Sequence, residues 1–133
     1  MKSALTAAQL MAKASRAGES AKALFDLGDP DGACNRAYYA MFDAARAVLM
    51  MSGVEQLPKT HSGLLALFSE KLVKNGPLDT NVGKFLKRAE QVRLVADYLG
   101  DGVTIEDARL IVEHAAFFVA EIAATITRLE PDT

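Results

Sequence analysis

The chain has 133 residues, 50% of them hydrophobic, with 15 lysines and arginines against 17 aspartates and glutamates and a single cysteine. A chain of this size buries roughly two-thirds of the surface its unfolded form exposes, so one domain over residues 1–133 can fold without a disulfide or a structural metal, and Cys34 alone could complete neither. The net charge of -2 and a pI near 5.7 exclude a protein that coats nucleic acid through bulk positive charge, so any anion site must be local.

Alanine is the commonest residue, and nowhere do Val, Ile, Thr and Tyr alternate as in a strand, so the elements should all be helices. Leu5, Leu10, Met11, Ala14, Ala21 and Leu24 repeat at helical spacing, which predicts an amphipathic helix from about Ser3 to Phe25. Lys13, Arg16, Glu19 and Lys22 fall on its other side. Gly28 suits a left-handed cap, and Asp29-Pro30 opens a second helix that reaches about Met51. This helix is apolar around most of its circumference, with alanines that permit close approach, and should be central. After a loop from Gly53 to Pro58, Thr60 caps a third helix from His61 to about Lys74, which Asn75-Gly76-Pro77 stops. A fourth helix begins at Asp79 or Thr80 and continues through Tyr98, with Val82, Phe85, Ala89, Val92, Ala96 and Leu99 on its apolar side and Gly100-Asp101-Gly102 closing it. Thr104-Ile105-Glu106-Asp107 resembles a capping box and opens a fifth helix that ends near Leu129. Short connections make this an all-α, five-helix up-and-down bundle. Uninterrupted apolar runs stop far short of the ~20 residues a membrane helix needs, so the expected setting is cytoplasmic, with no membrane partner.

Several polar residues exceed what such a bundle requires. On the second helix Arg36, Asp43 and Arg46 share a stripe with Tyr39, and Asn35 stands at its edge. The stripe suits either an ion network or a polar groove in which Asp43 orients both arginines. On the fourth helix Arg93 and Asp97, one turn apart beside Glu90, should form a half-buried pair, while Lys84, Lys87, Arg88 and Gln91 form a solvated basic face. A phosphate-binding arginine would occupy the same border position. Lys59, Thr60 and His61 lie where a helix start favours an anion. His114 reads as a satisfied histidine at a helix edge. Neither histidine has partners at metal-ligand spacing, and no glycine-rich phosphate loop or nucleophile elbow occurs, so no metal and no cofactor are expected.

The segments "NRAYYAMFDAARAVL", "KTHSGLLALF", "RLVADY" and "TIEDARLIVEHAAFFV" resemble, in order and spacing, the small stand-alone HEPN-domain proteins of bacteria and archaea, over about Ala21 to Ile126. The resemblance implies a helical bundle that homodimerises and is often encoded beside a minimal nucleotidyltransferase partner, in toxin–antitoxin or defence pairs. It also implies, for many members, a metal-independent ribonuclease whose site joins an arginine to a histidine four to six residues later. Arg93 matches that arginine and Tyr98 the aromatic position after the histidine, but Asp97 stands where the histidine would be. A carboxylate of ordinary pKa is a poor general acid at neutral pH and repels the scissile phosphate. The leading expectation is therefore a dimer that binds RNA, a nucleotide or a protein through Arg36, Asp43, Arg46, Arg93, Asp97 and Tyr98, with little or no cleavage. One alternative is an endoribonuclease toxin using Arg93 with Asp97 or His61, and another is a structural interaction module.

Overall fold

A computed structural model describes residues 5–98 and 102–130. The described residues form five α-helices: α1 (Ala7–Asp26), α2 (Pro30–Met51), α3 (His61–Phe68), α4 (Thr80–Tyr98) and α5 (Ile105–Leu129), with a π-helical segment, Ser69–Lys74, continuing α3. The all-α, five-helix bundle is as the sequence predicts. Leu99, Gly100 and Asp101, expected at and after the end of α4, lie outside the described residues.

Two boundaries differ from expectation for local reasons. The first helix starts at Ala7 rather than Ser3, because Thr6 is the cap: its hydroxyl accepts from Gln9 N at 3.1 Å, and its own N–H donates to Gln9 Oε1 at 2.8 Å. Leu5 therefore precedes the helix and is exposed. The third helix does not stay α-helical to Lys74. Past Phe68 it widens into the π segment, whose exit is secured by Leu78 N donating to Leu72 O at 2.8 Å. Gly83 allows α4 to approach here, since a Cβ on it would stand 3.2 Å from Val73.

Helix α2 packs against α1, α3, α4 and α5 and is the axis of the bundle. Asp29 accepts from Gly32 N at 3.0 Å and Pro30 occupies the first turn, while Gly28, at φ 85, makes the reversal out of α1. Ala33, Ala37, Ala40, Ala44, Ala45 and Ala47 are fully buried, so neighbouring helices come close to its backbone, and Tyr38, Met41, Val48 and Leu49 fill the core between them. Each large side chain buried there contributes roughly 1.5–3 kcal/mol. Cys34 is sealed in the same core, its thiol pushed up to about 12 by burial and then by Asp31 and Asp107. Asp31 also accepts from Val103 N at 2.8 Å, tying the entry to α5 back to the start of α2.

Leu86 is buried on α4 beside Val82 and Ala89, although the predicted apolar stripe omits it: α4 meets α2 and α5 on one flank and α3 with its π extension on another. Thr104 caps α5, its hydroxyl accepting from Asp107 N at 3.1 Å. Helix α5 is long and apolar enough to cross a membrane by length and composition, despite the short runs noted in the sequence. In the bundle Ile111, Ala115, Phe118 and Ile122 are buried, whereas Arg109, Glu113 and Arg128 are exposed, so one face of α5 packs inward and the other carries charge.

Candidate functional site

The densest polar and aromatic cluster forms where α2, α3 and α4 meet. Tyr38 is completely buried, and a buried tyrosine needs a partner for its hydroxyl. That partner is His61 at the first position of α3, whose Nδ1 lies 3.0 Å from Tyr38 Oη. The His61 ring is stacked with Tyr38 at 5.7 Å and packs against Phe42 at 4.4 Å. Burial raises the Tyr38 pKa above its ordinary value. The charge of Glu90 on α4 raises it further, and nearby Arg93 opposes the rise.

Arg93 lies over the same tyrosine. Its guanidinium carbon is 4.7 Å from the Tyr38 ring centre and 5.9 Å from that of Tyr39, and Nη1 donates to Asp97 Oδ2 at 3.1 Å. The side chain is only 12% exposed, and Nε is buried with no hydrogen-bond partner among the described residues. Such a cation is held by aromatic faces on one side and a carboxylate at one nitrogen, an arrangement worth ~1–2 kcal/mol when partly desolvated. The expected Arg93–Asp97 pair is therefore present, and it fixes the plane of the guanidinium. Tyr38 thus carries Arg93 on its ring and His61 on its hydroxyl, although these residues come from different helices and lie far apart in sequence.

A second polar cluster lies between α1 and α2. Arg36, Tyr39, Asp43 and Arg46 line one pocket of about 320 Å³, as their shared stripe predicts, and Lys13 and Arg16 of α1 join them. Asp43, 7% exposed, is paired with Arg46 at 3.3 Å. It does not orient both arginines as expected: Arg36 forms no ion pair among the described residues, because the carboxylate turns one helical turn toward Arg46. Tyr39 belongs to both clusters, with Arg93 over its ring and the α1–α2 pocket at its edge. The single groove expected from sequence is thus two adjoining sites separated by the Tyr39–Phe42 wall.

The sequence profile of the HEPN domain matches residues 7–125. This chain belongs to the HEPN domain family. It is 32% identical over 110 residues to a Methanocaldococcus jannaschii protein named "Putative toxin MJ0605", covering 83% of this chain and 81% of that one. It is also 33% identical over 112 residues to a "UPF0332 protein" of Gloeobacter violaceus (83% and 87% covered). A "UPF0332 protein" of Archaeoglobus fulgidus is 33% identical over 117 residues, with 87% and 91% covered. Membership and the helical bundle agree with the resemblance drawn from the four sequence segments.

Other expected site residues of this HEPN chain lie outside both clusters. Thr60 spends its hydroxyl on the helix cap, accepting from Gly63 N at 3.0 Å, and Lys59 beside it is exposed. The His61 ring packs onto Tyr38 and Phe42 instead of completing an anion site with these two. Tyr98 is 76% exposed, and Asn35 is half-buried outside the α1–α2 pocket. His114 is not a satisfied histidine: its ring stacks on Phe85 at 3.8 Å, Nδ1 is buried without a partner among the described residues, and burial lowers its pKa. Among the described residues no group of three or more His, Cys, Asp or Glu converges as a metal site. Sequence reasoning passed over Tyr38, Glu90 as its neighbour, and the pair Lys13 and Arg16. For Tyr38 a signal existed, since it falls on the Met41–Ala45–Val48 face, where a hydroxyl has no water to bond.

Proposed function

We propose that this protein is a toxin-like HEPN protein that engages RNA where α2, α3 and α4 meet, with Arg93 addressing a backbone phosphate. The observation that carries this reading is the convergence of Arg93 and His61 on Tyr38. A guanidinium pinned by Asp97 and two tyrosines loses little freedom on binding, and its remaining N–H groups form the fork that suits a phosphate. Tyr39, half-buried beside it, offers a face for a base. The name of the methanococcal relative agrees with a toxin-like role. Homodimerisation is supported by Leu110 and Phe117 of α5, large apolar side chains left 43% and 50% exposed. The test is fluorescence anisotropy with a labelled single-stranded RNA. Arg93→Gln should weaken binding about tenfold, the loss expected for a charge-assisted contact, and raised salt should weaken the wild type. No binding by the wild type would refute the reading.

The position of His61 favours a second reading, phosphodiester cleavage. In the tautomer in which His61 Nδ1–H donates to Tyr38 Oη, Nε2 carries the free lone pair. Nε2 would then take the proton of a ribose 2′-hydroxyl as its oxygen attacks the adjacent phosphorus, Arg93 would stabilise the phosphorane, and the 5′-oxygen would depart as a hydroxyl carrying the proton returned by His61. Incubation of purified protein with single-stranded RNA in chelator should release fragments ending in a cyclic phosphate, and His61→Ala should abolish them. Intact RNA after incubation with the wild type would rule cleavage out.

A further inference from the structure

Lys13, Arg16, Arg36 and Arg46 surround one half-open pocket of about 320 Å³ whose only carboxylate among the described residues is Asp43. Asp43 is committed to Arg46 at 3.3 Å. Four cations and one carboxylate leave three positive charges around a single small volume, in a chain whose net charge is -2. Lys13, Arg16 and Arg36 form no ion pair among the described residues, although Lys22 on the same α1 helix pairs with Asp26. Cations that repel one another across a concavity cost free energy unless an anion sits between them. Tyr39 on the wall adds an aromatic face next to the charge.

We propose that this α1–α2 pocket is a phosphomonoester site that takes the terminal phosphate of a nucleotide unit, with its base against Tyr39. Charge selects the ligand. A phosphomonoester carries about −1.5 to −2 at pH 7, with three acceptor oxygens, whereas an internal phosphodiester carries one charge and leaves more of the cluster uncompensated. The same group has two sources, the end of an RNA strand and a free nucleotide. The proposal rests on the RNA reading only for the first source; binding of a free nucleotide would stand even if Arg93 engaged no RNA.

Calorimetric titration of the full chain with three otherwise identical oligoribonucleotides, bearing a 5′-phosphate, a 3′-phosphate or hydroxyls at both ends, tests it, with AMP as a fourth ligand. One of the phosphorylated strands should bind about tenfold more tightly than the hydroxyl strand, consistent with added charge-assisted hydrogen bonds. That preference should shrink as pH falls below about 6, where the monoester loses a charge. Arg16→Gln combined with Arg36→Gln, both exposed positions, should remove the preference without lowering the melting temperature, and Lys22→Ala should retain it. AMP binding with the same sensitivity to the double variant assigns a free nucleotide, and strand preference without AMP binding assigns an RNA end. Three strands of equal affinity together with no AMP binding would overturn the proposal. So would equal weakening of all three strands by the double variant, which would mark a site for internal phosphates, or a preference that the double variant leaves unchanged.

Discussion

The hydroxyl of Tyr38 lies 3.0 Å from Nδ1 of His61, while Arg93 covers the ring of the same tyrosine at 4.7 Å. One buried side chain of the central helix therefore sets the position of both groups that RNA chemistry would use, and it does so from inside the core, where its own geometry cannot relax.

Tyr38→Phe separates the hydroxyl from the ring. The stack under Arg93 remains, but His61 Nδ1 loses its partner, and we expect a stability loss of about 1 kcal/mol. Any RNA cleavage should fall with it. If His61 acts through the orientation Tyr38 gives it, the effects of Tyr38→Phe and His61→Ala on rate will be strongly non-additive in a double-mutant cycle, and simple additivity would show that the hydrogen bond has no part in the reaction.

Arg93→Lys preserves charge and loses both the planar stack on Tyr38 and the fork that meets Asp97. Measured RNA affinity should resemble that of Arg93→Gln rather than the wild type. Recovery of full affinity by lysine would mean that charge alone is used at this position.

His114 gives a pH dependence whose sign follows from its burial. Its folded pKa lies below the ordinary 6.5, so below that pH the unfolded chain takes up a proton that the folded chain resists. Stability should be constant above about pH 6.5 and decline as the pH falls. Leu or Phe at this position would preserve packing on Phe85 without titrating; thermal melts of His114→Phe between pH 5 and 7 should therefore decline less steeply than those of the wild type.

Gly28 adopts φ 85, a conformation that costs an L-residue about 1 kcal/mol. Since a Cβ there meets nothing within 4 Å, Gly28→Ala should lower stability by about that amount through backbone strain alone, as read by urea denaturation.

Phe117 tests self-association. It is half exposed on α5, so Phe117→Glu should fold normally yet shift the protein toward monomer by size-exclusion chromatography with light scattering. A wild-type chain that is already monomeric would remove the dimer from the proposed function.

Much of the fold was legible in the sequence because its punctuation is local. Asp29-Pro30, Thr60 and Thr104 stop or start helices through hydrogen bonds to residues three positions away, and each does so in the structure. The site was legible only in part, since its decisive contacts are not local. Arg93 and Asp97 are one helical turn apart, and spacing alone foretells their pair. The approach of His61 to Tyr38, 23 residues away, depends on how α3 crosses α2. Lys13 and Arg16 look like solvent-facing residues on a helical wheel, which cannot show that the border of α1 beside Ala14 and Ala17 adjoins the Arg36 stripe of α2.

The sealed thiol of Cys34 has a practical consequence. It is the chain's single cysteine, in the middle of the core along the helix that every other helix touches, and its raised pKa leaves almost no thiolate in the folded state. An alkylating reagent should reach it only when α2 comes away from its neighbours, so the labelling rate becomes a built-in clock for opening of the bundle. A ligand that clamps α1 to α2 should slow that clock, allowing occupancy of the α1–α2 pocket to be followed in the wild-type protein with no dye attached.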